Sequence, residues 1–166
     1  MARIKVIKDV TDFVPILRAV STEKKKQIFT DLAEGWKTAE EIEEEYGEEG
    51  KDALKLFEKM KLVETRWQHT DKETQRAYHT YYSQVHIDAT VPVEEISEVL
   101  YAAMVDDEKF KDLEEKILED VQKGDNFAKD IGEKIGVSQI TLKSLVKRSI
   151  NLGYRGHRIM ELKEEE

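Results

Sequence analysis

The feature that most constrains this chain is a three-residue interruption, Gly136-Val137-Ser138, set between two stretches of helical apolar spacing. Upstream, Phe127, Ala128, Ile131 and Ile135 fall on one helix face; downstream, Leu142, Leu145, Val146 and Ile150 do the same for a helix expected to end at Gly153. Gly136 supplies the left-handed backbone that a tight corner needs. Val137 plugs the corner, Ser138 caps the second helix, and Ala128 is small enough to let the two axes cross closely. The sequence therefore dictates a pair of helices fixed at a sharp angle.

The same order of helix, helix, tight turn, helix occurs earlier in the chain. Phe13, Ile16, Leu17 and Val20 predict a helix over residues 9–20. Ser21 or Thr22 can cap a second helix, which carries Ile28 and Leu32 and stops at Gly35. Thr38 followed by Glu41 has the capping-box spacing and starts a short third helix ending at Gly47. A fourth holds Ala53, Leu54, Phe57 and Met60 and ends near Lys61. The period then changes: residues 62–67 read as a strand, 69–74 as a polar turn, and Arg76 to Ile87 as a long second strand with Tyr81, Val85 and Ile87 on one face. After Pro92 come a helix from Val93 to Met104, apolar at Ile96, Val99, Leu100 and Ala103, and a helix from Asp107 to Gln122 carrying Phe110, Leu113, Ile117, Leu118 and Val121. No residue-by-residue repeat links the two copies, and the tail Leu162 to Glu166 is expected to be disordered.

Composition removes several function classes. No stretch of the 166 residues reaches the roughly 18 consecutive apolar residues of a membrane span. The start, with Lys8 and Asp9 close behind, lacks the apolar centre of a secretory signal, so a cytoplasmic location is expected. The absence of cysteine excludes disulfides, thiolate nucleophiles and cysteine metal sites. A chain 38% charged and rich in Glu and Lys suits a heat-adapted protein. There is no phosphate loop, GxSxG, HExxH or nucleotide fingerprint, so no enzyme and no cofactor are expected. The four histidines, His69, His79, His86 and His157, have no helical i, i+4 pairing, and no metal site is expected.

The net charge of −9 opposes a polyanionic partner, yet the charge is segregated along the chain. From Ile135 to Met160 there is no acidic residue, while Lys143, Lys147, Arg148, Arg155 and Arg158 are basic. The acids collect at Glu40–Glu49, Asp106–Asp120 and Glu161–Glu166.

Residues 127–142 resemble the helix-turn-helix signature of bacterial and archaeal repressors. With Leu142 and Val146 anchoring the second helix, Gln139, Ile140, Lys143, Ser144 and Lys147 are expected to point outward into a major groove. Ser138 and Thr141 are placed to reach phosphates, and Arg148, Arg155, His157 and Arg158 to grip the backbone nearby. The segment from Phe13 to Val91 resembles the winged-helix domain of the ArsR family. The likeness lies in Leu17-Arg18-Ala19-Val20-Ser21, the helix to Gly35, Thr38-Ala39-Glu40-Glu41-Ile42, and the approach from Leu54 to Val63 into a two-stranded wing. The resemblance implies homodimers, formed by the terminal helices, that repress promoters. Glu48, Glu49 and Asp52 stand at the start of the helix that would read DNA, where phosphate repels them, so base reading is assigned to the C-terminal helix. Lys51, Lys55 and Lys59, with Arg66, His69, Lys72 and Arg76 on the wing, are left to contact the backbone.

The expected fold is thus mainly α with a β-wing: a winged helix-turn-helix domain over residues 1–104, followed by a small all-α helix-turn-helix domain over 105–166. The expected partner is double-stranded DNA, bound by a homodimer at a two-fold-related operator. Two alternatives stand beside it. The acid-rich stretch Glu40–Glu49 suits a protein-interaction module, and the hairpin aromatics Trp67, Tyr78, Tyr81 and Tyr82 suit an effector pocket unless they pack against the helix from Val93.

Overall fold

The computed structural model describes residues 2–163. Contacts gather them into two compact units: residues up to Ile7 with Ile16–Asp88, and Lys8–Pro15 with the chain from Ala89 onward. The expected boundary after Met104 does not coincide with this division, because the helix from Val93 lies wholly in the second unit.

In the first unit α2 (Glu23–Glu34) is capped by Thr22, whose side chain accepts from the Lys25 N–H at 3.1 Å, and it buries Ile28 and Leu32. β2 (Lys37–Thr38) leads into α3 (Ala39–Lys59). Both halves of the capping box form: the Glu41 N–H donates to Thr38 Oγ1 at 3.1 Å and the Thr38 N–H to Glu41 Oε2 at 2.7 Å. α3 is helical on either side of Gly47, whose φ of 69° and ψ of −151° break it into the two helices the sequence predicts. The two halves pack through Gly50, where a Cβ would lie 2.9 Å from both Ile42 Cγ2 and Tyr46 Cβ. The Tyr46 hydroxyl donates to Asp31, tying the first half to α2. Ile28, Leu32, Ile42, Leu54, Leu56 and Phe57 make the core.

β3 (Val63–His69) and β4 (Thr74–Thr80) form the hairpin, and β2 adds to β4 to give an antiparallel sheet in the order β2-β4-β3. This helix, helix, helix and three-strand arrangement is compatible with a winged helix. The long second strand of the sequence reading is corrected. β4 stops at Thr80, and β5 (Gln84–Ile87) pairs in parallel with β1 (Ile4–Ile7) instead. Tyr81 and Tyr82 sit at the break as an edge-to-face pair, under Arg3 and Lys5 respectively. These two aromatics therefore pack on Lys5 of β1 and on Arg3 just before it.

In the second unit a 3-10 turn (Val10–Asp12) leads into α1 (Phe13–Ala19), which runs through the boundary between the units. α4 (Val93–Met104), α5 (Asp107–Gln122), α6 (Ala128–Ile135) and α7 (Gln139–Arg148) follow. Ile117, Ala128, Ile131, Leu142, Val146, Leu152 and Ile159 close one core, and Val14, Val99 and Ala103 another. Gly136 adopts the left-handed conformation (φ 75°, ψ 35°), and Ser138 caps α7 by accepting from the Thr141 N–H at 3.2 Å.

This unit is not all-α. α7 ends at Arg148 rather than Gly153, and β6 (Leu152–Arg155) and β7 (Arg158–Glu161) form a hairpin closed by Gly156 and His157. Gly156, at φ 63°, fits the first central position of such a turn. Phe127 bridges Arg158, binding the hairpin to the start of α6. The expected disorder of the tail is corrected as far as Leu162, whose N–H donates to the Asn151 carbonyl at 2.8 Å and whose side chain rests on Gly153. Residues 164–166 of that tail lie outside the described residues.

Candidate nucleic-acid interface

α7 carries most of the residues expected to meet DNA, and the structure turns that helix inward. Ser144 is fully buried, and its hydroxyl has no hydrogen-bond partner among the described residues. Ile140 packs against the cluster of Val14, Val99 and Ala103. Thr141 is buried, with its hydroxyl 3.0 Å from that of Ser138. Gln139 lies across the turn, its amide donating to the Ala128 carbonyl at 3.1 Å above Gly132. The expectation that Ile140 and Ser144 point outward is therefore corrected: α4 and the segment 8–15 occupy that side of the helix.

The cations of α7 have counter-ions inside the unit. Lys143 Nζ lies 2.6 Å from Asp9 Oδ2, and Lys147 Nζ lies 2.8 Å from Asp12 Oδ1. Burial alone would push the Asp9 carboxyl up, but the bonds from Lys143 and Thr11 outweigh it and hold its pKa at about 2. Arg148 is 5% exposed. It donates to the carbonyls of Ala102 (3.1 Å) and Val105 (2.7 Å) and to Asp107 (3.0 Å), with its guanidinium over the Phe110 ring. A guanidinium so placed joins α7 to the end of α4 and the start of α5; it is not a backbone grip.

Of the basic residues between Ile135 and Met160, those exposed at the surface are at the hairpin tip. Arg155, His157 and Arg158 are exposed, and Arg158 stacks on the Phe127 ring at 4.5 Å.

The first unit presents a different picture. On the second half of α3, Glu48 and Asp52 are exposed and Lys51, Lys55 and Lys59 are half-buried, while Ala53, Leu54, Leu56 and Phe57 face the core. Lys51, Lys55 and Lys59 recur every fourth residue and so share one stripe. Glu49 accepts from Thr22 and pairs with Lys24. On the hairpin, Lys72 is exposed in the turn, Arg66 lies over the Trp36 ring at 4.1 Å, and Arg76 pairs with Glu58 of α3 at 2.6 Å. The last contact fixes the hairpin to the helix. Of the hairpin aromatics, Tyr78 is buried and Trp67 is 74% exposed.

The histidines are dispersed. His69 meets Thr74, His79 stacks on Trp36 beside Glu64, His86 is on β5 and His157 is at the second hairpin tip. Among the described residues no three His, Asp or Glu side chains gather as a metal site. A cleft of about 310 Å³ is lined by Asp31, Glu34, Gly35, Trp36, Lys37 and Glu45, so the pocket is acidic and uses none of the aromatics expected to form one. No helix of the described residues is long and apolar enough to cross a membrane.

Sequence reasoning missed Asp9 and Asp12 as partners of α7. No local signal could have shown them, since Asp9 and Lys143 are 134 residues apart. It also missed Gly50 and Gly132, whose meaning is the closeness of another side chain and not the turn they stand near.

No curated protein and no solved structure matches the chain. Residues 7–163 match the family model of the ArsR transcriptional regulators, a span that takes in both units, and on that match the chain belongs to the ArsR family of transcriptional regulators.

Proposed function

We propose that the chain is a homodimeric regulator that docks on duplex DNA with its first unit, a winged helix-turn-helix, and keeps the third helix of its second unit for internal packing. The observation that carries this reading is the contrast between the two third helices. Residues 48–59 keep Glu48 and Asp52 exposed and Lys51 half-buried beside the hairpin that bears Arg66 and Lys72, whereas on α7 Thr141, Ser144 and Arg148 are buried and Lys143 and Lys147 pair with Asp9 and Asp12. In this reading Lys51, Arg66 and Lys72 meet phosphates, Arg76 holds the wing against α3 through Glu58, and Arg155 and Arg158 supply a second phosphate contact. Glu48 and Asp52 lower affinity for bare phosphate and so raise the share of binding left to base and shape readout.

α4 supports the dimer. Val99, Ala102 and Ala103 face the core, while Val93, Ile96, Leu100 and Met104, at spacings of three and four residues, form an exposed apolar stripe. Two copies joined through this stripe would bury it and present two wings to a two-fold operator.

The test selects bound duplexes from a random library, then measures affinity against salt and mass by light scattering. A dimer is expected, with an affinity that falls by about 0.9 power of salt per phosphate contact. Lys51→Glu combined with Lys72→Glu is expected to weaken binding more than tenfold. Retention of no duplex at low salt sinks the reading. The exposed carboxylates Glu43, Glu44, Glu45 and Glu48 favour a second reading, a surface for a basic protein, which that failure would promote.

A further inference from the structure

The chain has two tryptophans, and they are treated in opposite ways. Trp36 is half-buried and its ring is occupied: the Arg66 guanidinium lies 4.1 Å from its centroid, and the His79 ring stacks at 5.2 Å with an interplanar angle of 27°. Trp67 is 74% exposed, and among the described residues neither a ring nor a cation is stacked on it. The guanidiniums beside it in the chain and across the ladder are engaged elsewhere, Arg66 on Trp36 and Arg76 on Glu58.

The register shows what surrounds the bare indole. Trp67 faces Arg76 across the ladder, Thr65 faces Tyr78, and His69 faces Thr74, so these six side chains share one side of the hairpin. That side has no carboxylate of its own. Glu64 belongs to the other side, with Arg66 and Gln68, and Asp71 and Glu73 lie in the turn with Lys72. The ladder is continuous from Val63↔Thr80 to His69↔Thr74, and Thr70 closes the turn by donating from its N–H and hydroxyl to the Glu73 carbonyl at 2.9 and 2.7 Å. A continuously paired ribbon thus carries an uncovered indole on a side to which the hairpin itself adds no carboxylate, the Glu58 carboxylate from α3 being paired with Arg76. Arg76 on that same side is bonded to the helix that the docking reading places against DNA.

We infer that Trp67 is the residue through which this hairpin enters the minor groove of duplex DNA. The inference rests on the docking reading above. The indole is flat and rigid, and its one polar group is an N–H donor. A·T pairs offer only acceptors in the minor groove, while G·C pairs place the guanine amino group there, so a donor-tipped wedge discriminates against G·C. Trp67 is in this account a specificity-determining residue, and Lys72 contributes attraction without sequence preference.

The full-length protein carrying Trp36→Phe leaves Trp67 as its single indole emitter. It is titrated with poly(dA·dT), poly(dG·dC) and poly(dI·dC), the last lacking the minor-groove amino group. Binding is followed in parallel by anisotropy of labelled duplex. The expected result is quenching and a blue shift of Trp67 emission with the first and third duplexes and little change with the second. Trp67→Ala, which melts with the wild type because the side chain is exposed, is expected to bind poly(dA·dT) about tenfold more weakly. Its salt dependence is expected to be unchanged, since no charge is lost. Trp67→Phe keeps most of the affinity and abolishes the fluorescence change. Duplex bound with Trp67 emission unmoved and Trp67→Ala equal to wild type overturns this inference alone. Anisotropy that detects no binding to any duplex overturns the docking reading, and this inference with it.

Discussion

The two units share an order of elements and differ in what lies on the third helix. In the first, α2, a strand pairing at β2, the two halves of α3 about Gly47, and the hairpin β3–β4 follow one another. In the second the order is α5, the Phe127–Arg158 bridge, α6, Gly136, α7 and the hairpin β6–β7. The second unit also contains the segment 8–15 and α4, and both pack on α7. A helix-turn-helix is therefore defined by local signals, while its availability to a ligand is decided by distant segments that no local signal announces. A glycine-turned helix keeps one polar face exposed in the first unit, while the corresponding helix of the second has that side covered.

The comparison breaks most sharply at Arg148. Arg148→Ala removes a buried guanidinium, leaves the carbonyls of Ala102 and Val105 without that donor, and opens a cavity beside Phe110. With Asp107 left exposed, the two carbonyls short of a donor set the expected loss, about 2–5 kcal/mol. Thermal or denaturant unfolding checks it, and a variant as stable as the wild type would mean that α7 is not the centre of its unit. The next effect tests the helix corners. Gly50→Ala drives a methyl to 2.9 Å from core atoms of Ile42 and Tyr46 and is expected to cost about 1–3 kcal/mol. At Gly132 the first obstacle is the amide end of Gln139, which can swing aside, and the Val137 carbonyl at 3.3 Å need give only a few tenths of an ångström. Gly132→Ala trades the Gln139–Ala128 bond for better helix propensity and should stay within about 1 kcal/mol of wild type. Equal costs at the two glycines would show that the corners are built alike.

Legibility followed the range of the interaction. The Ser138 cap, the Thr38–Glu41 box, and the turns at Gly47 and Gly136 are fixed by residues within a few positions of one another, and the sequence reads them, with Thr22 as one of two candidate caps for α2. The parallel pairing of Ile4–Ile7 with Gln84–Ile87 is not readable, because a strand pattern does not name a partner some 80 residues away. The second hairpin was legible in part. Leu152, Tyr154 and Ile159 alternate around Gly156, but so few residues compete poorly with the helical spacing that precedes them. The acid-free stretch from Ile135 to Met160 misled for a physical reason. Acids are absent from a helix at the centre of its unit, and its cations are met by Asp9, Asp12 and Asp107 from elsewhere. Segregation of charge along a chain is not segregation of charge on its surface.

A smaller effect follows from one of those counter-ions. With its pKa held at about 2 against the ordinary 3.8, the Asp9 carboxylate favours the folded state at all pH above about 4 and loses that contribution as pH falls toward 2. The pair is more than a third exposed, so the full shift overstates its worth, and Asp9→Asn is expected to cost about 1 kcal/mol at pH 7. The difference between wild type and variant should close as pH falls through 3. A gap that persists at pH 2 would assign the effect to the Thr11 bonds that Asn can also disturb, not to charge.

The smallest expected change in stability belongs to Arg155, and it sharpens the comparison from the other side. Arg155 is exposed at the tip of β6, next to the Gly156–His157 turn. Arg155→Ala should therefore leave unfolding within about 0.5 kcal/mol of wild type. Arg158→Ala gives up the Phe127 ring as well and should cost slightly more. If the tip is the second phosphate contact proposed above, each substitution lowers the salt exponent of duplex binding by about one while leaving the fold intact. That is the reverse of Arg148→Ala, which damages the fold and removes no surface charge. A destabilisation at Arg155 matching that at Arg148 would make the hairpin tip part of the core and remove it as a surface with which to meet a duplex.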